Sequence, residues 1–109
     1  MSQYIFIESR DPFACRGCRF VAETARALKE SGNKVVVFLV QNGVLAARQK
    51  AVGSRLPLLS GAGVTVLADE FSLRERGIQS AELGAGIKEA AIDALVDLIA
   101  MDNTKAIWH

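Results

Sequence analysis

Six consecutive apolar residues, Val35 to Val40 (VVVFLV), constrain this chain more than any other feature. A strand that is apolar at every position has no side to turn to water, so it belongs inside a sheet covered on both faces. Ahead of it, Cys18 to Ser31 carries Val21, Ala25 and Leu28 at helical spacing, with Glu23, Arg26, Lys29 and Glu30 on the other side, and Gly32-Asn33 ends the pattern. That is an amphipathic helix with a glycine stop. A further apolar run, Tyr4 to Ile7 within Gln3 to Glu8, reads as a strand, and Asp11-Pro12 breaks it. Strand, helix, buried strand is a crossover unit, and crossovers join parallel strands.

The rest of the chain continues the alternation. Gln41-Asn42-Gly43 turns the backbone, Val44 to Ala51 suits a short helix, and Gly53 to Gly63 is irregular, interrupted by Pro57 and three glycines. Val64 to Ala68 is a third strand, Asp69 to Gly77 a polar loop with one helical turn, and Ile78 to Leu83 a short extended piece. A last helix places Ile87, Ala91, Leu95 and Leu98 on one face, widened by Ala90, Ala94 and Ile99, and Thr104 to Trp108 closes the chain as a strand. The expected architecture is a single domain over residues 1–109: α/β, a three-layer, flavodoxin-like parallel sheet of about five strands with helices on both faces. In the 2-1-3 strand order of that class, the first and third strands are neighbours.

Thirteen Lys and Arg against twelve Asp and Glu leave a net charge of +1, and no run of like charges replaces the missing field. Nucleic acid and anionic membrane surfaces are therefore not expected as partners. No segment has the length of a membrane span, and the start has neither the basic flank nor the apolar length of a signal peptide. A cytoplasmic address is expected, where thiols stay reduced.

The two cysteines form Cys15-Arg16-Gly17-Cys18. In an open parallel sheet, ligands bind beyond the carboxyl ends of the strands. That edge gathers Arg10, Cys15, Arg16, Cys18 and Arg19 after the first strand, Gln41, Asn42 and Gly43 after the second, and Asp69 and Glu70 after the third. Cys18 falls at the amino end of a helix, where unpaired N–H groups and the helix dipole favour an anion, and Arg16 and Arg19 add positive charge. A thiolate there attacks disulfides, accepts sulfane sulfur or binds metal. Inert packing of small apolar thiols is the alternative, and a metal is a third. For a structural zinc site, one C-x-x-C plus His109 falls short of four ligands without a second chain, so no metal or cofactor is expected.

Other features carry less. Gly61-Ala62-Gly63 and Gly84-Ala85-Gly86 lack the setting of a dinucleotide fingerprint and read as turns. His109 is expected to be solvated, and Trp108 to pack or to meet a partner. Asp69 and Glu70, adjacent on an extended chain, point apart and do not form an acid/base dyad.

Several stretches together resemble the DsrE/DsrF/TusD-like (YchN-like) sulfur-relay family over nearly the whole length. They are Pro12 in the loop after the first strand, Gly32-Asn33-Lys34-Val35 leading into Val36-Val37-Phe38-Leu39, Gln41-Asn42-Gly43-Val44, Gly63-Val64-Thr65-Val66, and Ser72-Leu73-Arg74-Glu75-Arg76-Gly77-Ile78. The resemblance implies a small cytoplasmic protein that forms a homo-oligomer, a trimer or hexamer, and works with other sulfur-relay proteins. In several members a cysteine just after the third strand carries sulfur as a persulfide. Counting back from Arg76-Gly77, that position is Asp69, so the family cysteine is absent here. The expected function is a persulfide carrier or thiol-redox accessory protein, sulfurtransferase-like, using Cys15 and Cys18. Arg16, Arg19, Asn42 and Asp69 would stabilise or bind the anion. With the first and third strands adjacent, Cys15 or Cys18 would occupy the space near Asp69. The alternative is a non-catalytic oligomeric subunit or small-ligand binding module. Leu56, Leu58 and Leu59, read as exposed, agree with an oligomer.

Overall fold

The computed structural model describes residues 2–11, 17–51 and 53–109. Cys15 and Arg16 lie outside the described residues, so the geometry below concerns Cys18 alone of the two cysteines. Five strands form one sheet: β1 (Gln3–Glu8), β2 (Lys34–Leu39), β3 (Thr65–Asp69), β4 (Ile87–Ala90) and β5 (Thr104–Trp108). Four helices accompany them: α1 (Cys18–Glu30), α2 (Leu56–Gly61), α3 (Glu70–Glu75) and α4 (Ile92–Ile99), with 3-10 turns at Gln41–Ala47 and Ser80–Glu82.

The strand order is β4-β3-β2-β1-β5, and every pairing is parallel. This is the expected three-layer α/β class, but it corrects the expected 2-1-3 order. β2 separates β1 from β3, as its unbroken apolar run demands of an interior strand. The chain steps outward from β1 to β4 and then returns past β1 to place β5, so the order reverses between β1 and β5.

The side chains of β2 divide by alternation. Val35, Val37 and Leu39 join one buried cluster with Phe6, Val66 and Ala68, covered by Val21 and Ala25 of α1, Val44 and Ala47 of the first 3-10 turn, Leu56 and Leu59 of α2, and Leu73 of α3. Val36 and Phe38 join the second cluster with Ile5, Ile7, Val40 and Leu95 of α4. Among the described residues, α4 is the helix that supplies this second cluster. Flanking Leu95 on the same helix, Ile92, Val96 and Ile99 are left in solvent.

Several local expectations change. The turn and short helix expected over 41–51 are a 3-10 helix at Gln41–Ala47. Ile87–Ala90 is the edge strand β4, not the start of the last helix, which begins at Ile92. Within the irregular stretch, Leu56–Gly61 is helical, with proline in its first turn, where a missing N–H costs nothing. Residues 78–83 contain a 3-10 turn instead of an extended piece. Gly84-Ala85-Gly86 turns the chain as expected, with Gly86 at φ +79, whereas Gly61 ends α2 and the turn there is made by Ala62 and Gly63, the latter at φ +94. Of the three leucines read as exposed, Leu56 and Leu59 are buried and only Leu58 stays in solvent. No described helix is long and apolar enough to cross a membrane.

Candidate functional site

The reversal of strand order brings the carboxyl ends of β1 and β5 together, the place where an open parallel sheet leaves a crevice. Their register pairs Ile7 with Trp108, which sets Glu8 beside His109. Backbone hydrogen bonds fix the two ends: His109 N donates to Ile7 O and Ser9 N to His109 O, both at 2.9 Å. Glu8 follows Phe6 by two residues, so its side chain turns to the α1 face, whereas Trp108 lies on the α4 side.

On the α1 face, His109 Nδ1 meets the Glu8 carboxylate at 2.8 and 3.0 Å. The Glu8 side chain is only 9% exposed and that of His109 24%, so the pair is largely removed from water. Cys18, half-buried at the first turn of α1, donates its S–H to Glu8 Oε1 at 3.7 Å. Gly17 keeps room for the imidazole, because a Cβ there would stand 2.8 Å from His109 Nε2. The thiol and Glu8 line a cavity of about 140 Å³ walled by Val21, Leu39, Ala46, Leu56 and Leu59. His109 is therefore docked, which corrects the expectation that it is solvated.

The turn after β2 closes this end. Val40 N donates to Glu8 O, and Gly43 packs so tightly over that same carbonyl that a Cβ at position 43 would collide with it. Gly43 thus serves a backbone close approach.

The remaining expected residues separate into two places. Arg19 reaches the Cys18 cavity, but its Nε is engaged by Glu23 at 3.0 Å on the exposed side of α1. Asp69 caps α3, accepting from Ser72 N at 3.0 Å and Ser72 Oγ at 2.7 Å. Gln41, held at φ 51, donates its backbone N–H to the same Ser72 Oγ at 2.9 Å. Asn42 Oδ1 accepts from Arg76 Nη2 at 3.0 Å, and Arg76 Nη1 reaches Ser72 O. Asp69 lines a second, wider cleft of about 670 Å³ with Gln41, Phe71, Arg74, Ile92 and Trp108.

Cys18 and Asp69 thus line different cavities, and β2 stands between the strands that precede them. The expected substitution of Cys18 into the space near Asp69 does not hold; Cys15 lies outside the described residues. Glu8 and His109 were missed as site residues. Each directly follows the apolar part of a strand at its carboxyl end, and that position was the available signal.

The sequence matches the model of the DsrE/DsrF-like family over residues 2–106. Among solved structures it is similar to the crystal structure of the ychN protein from E. coli, with TM-score 0.86 and 18% identity over 100% of each chain. It is equally similar to a protein of unknown function, MTH1491, from Methanobacterium thermoautotrophicum, with TM-score 0.85 and 18% identity over 100% of each chain. No curated protein matches the sequence. At that identity the structural likeness concerns the fold, and the family match suggests a sulfur-relay type of role in general terms. A match spanning nearly every residue, joined to a shared topology, leads to one conclusion: the chain belongs to the DsrE/DsrF-like family.

Proposed function

We propose that this protein is a sulfur-relay carrier or thiol-redox accessory protein whose reacting thiol is Cys18 and whose handing-off thiol is Cys15. The observation that carries this reading is the position of Cys18 Sγ at a lined cavity, against the Glu8–His109 pair. Glu8 and His109 together offer the thiol proton an acceptor, and the apolar wall limits hydrolysis of a bound persulfide.

The chemistry balances in two steps. The Cys18 thiolate attacks the outer sulfur of a donor persulfide, forming Cys18–S–S⁻ and releasing the donor thiol. Attack by the Cys15 thiolate on Cys18 Sγ then forms a Cys15–Cys18 disulfide and expels hydrosulfide. Arg16 and Arg19 contribute positive charge along the same segment.

Incubating the reduced chain with a low-molecular-weight persulfide and recording intact mass tests it. Cys15→Ser, which lacks the handing-off thiol, gains one sulfur atom mapped to Cys18; the wild type ends as the Cys15–Cys18 disulfide, two hydrogens lighter, with hydrosulfide released; and Cys18→Ser gains no sulfur. Absence of added sulfur on Cys15→Ser, or a wild type that forms no disulfide and releases no hydrosulfide, overturns the proposal.

A second reading is favoured by Asp69, whose carboxylate caps α3 at the position where the family resemblance implies a cysteine in sulfur-carrying members. On that reading the chain is a non-catalytic subunit or small-ligand binding module, using the wider cleft. In either case the family resemblance implies a homo-oligomer, trimer or hexamer, and the exposed apolar side chains of Ile92, Val96, Ile99 and Trp108 agree with such an assembly.

A further inference from the structure

Glu8, Cys18 and His109 bring a carboxylate oxygen, a sulfur and an imidazole nitrogen within 4.8 Å of one another. They come from the end of β1, the start of α1 and the residue after β5, so three separate elements converge on one point. Two of the three donors sit on hydrogen-bonded strand ends, which fixes them before any ligand arrives. Glu8 is buried, and the thiol and the imidazole both reach its carboxylate.

We infer that this cluster is a binding site for a divalent transition-metal ion of the zinc class. The inference stands on this geometry and not on the sulfur-relay reading. Sulfur and imidazole donors select such an ion over magnesium or calcium, which take oxygen ligands. Donors about 2.0 Å (N, O) and 2.3 Å (S) from a tetrahedral ion lie about 3.3–3.6 Å apart. The Sγ–Oε1 separation of 3.7 Å already fits, and Nδ1–Oε1, at 2.8 Å, has to open by about 0.5 Å. Three protein ligands with one exchangeable position is the ligand count of an open zinc site. An ion held there occupies the Cys18 sulfur and masks it from sulfur donors and alkylating agents.

The test uses the full chain, reduced and stripped with chelator, titrated with Co²⁺ and then back-titrated with Zn²⁺. One ion binds per chain, with a near-ultraviolet thiolate-to-cobalt band that zinc bleaches. Cys18→Ser abolishes the band. Glu8→Gln and His109→Gln each weaken binding by more than the about 10–100-fold that loss of an outer-shell partner costs. No band at stoichiometric cobalt overturns the inference. So does wild-type affinity in both Glu8→Gln and His109→Gln, which would assign the ion to the thiols alone. A second measurement needs no variant: zinc slows alkylation of Cys18 in the wild type, mapped by peptide mass, and an unchanged rate overturns the site.

Discussion

Replacing Asp69 by alanine tests how the carboxyl end of β3 is held. Asp69 and Ser72 are both buried, and the Asp69 carboxylate accepts from Ser72 N at 3.0 Å and Ser72 Oγ at 2.7 Å. Alanine removes a helix cap worth about 1 kcal/mol. It also deprives the Ser72 hydroxyl of a charged acceptor, worth about 1.5–3 kcal/mol. The desolvation cost of the carboxylate disappears with it, so the expected net loss is about 2–3 kcal/mol. That is a large share of the about 5–15 kcal/mol that holds a domain folded. Asp69→Asn keeps an acceptor oxygen and loses roughly half as much. Urea unfolding followed by circular dichroism reads the change as a lower midpoint at constant slope. Ser72→Ala, alone and combined with Asp69→Ala, completes a double-mutant cycle. Because both substitutions delete the same 2.7 Å bond, the double loss falls short of the sum by about 1 kcal/mol. A loss under about 0.5 kcal/mol for Asp69→Ala, or an additive cycle, refutes the capping argument.

Asp69→Cys, which installs the residue the family resemblance implies for sulfur-carrying members, costs nearly as much as alanine, since a thiol is a weak acceptor; thermal unfolding beside Asp69→Ala checks this. Gly43→Ala drives a methyl group into the Glu8 carbonyl and is expected to cost about 3 kcal/mol and to speed Cys18 alkylation by loosening the end of β1. Unfolding midpoint and thiol reaction rate report it, and wild-type values for both would show that the close approach relaxes freely. Val96→Lys charges the exposed side of α4 and converts an oligomer to monomer by light scattering, with the unfolding midpoint of the monomer unaltered.

The interior strand was readable because its burial on two faces leaves one solution, an unbroken apolar run. β4 was not. Ile87 and Ala91 continue the spacing of Leu95 and Leu98, and Lys88 and Glu89 face solvent because the strand has a neighbour on one side only. Leu56 and Leu59 looked exposed because proline and glycine hid a two-turn helix whose buried side they form. The cysteine motif and the sheet edge were both legible, yet the groups beside the thiol were not. Glu8 and His109 are 101 residues apart, and no local pattern records a contact that strand order alone creates. Asp69 was named as a site residue, but its hydrogen bond to Ser72, three residues on, marks it first as a cap.

That long separation also governs timing. Pairing β1 with β5 closes nearly the whole chain into a loop, and contacts between distant segments form late. Synthesis at about 5–20 residues per second leaves Glu8 and Cys18 exposed for about 5–20 seconds before His109 exists. The thiol is therefore most vulnerable to oxidation as a nascent chain, and its protection arrives only with the last strand. Pulsed alkylation during refolding would show Cys18 protection lagging the far-ultraviolet signal; simultaneous recovery would mean that the sheet edge assembles in one step.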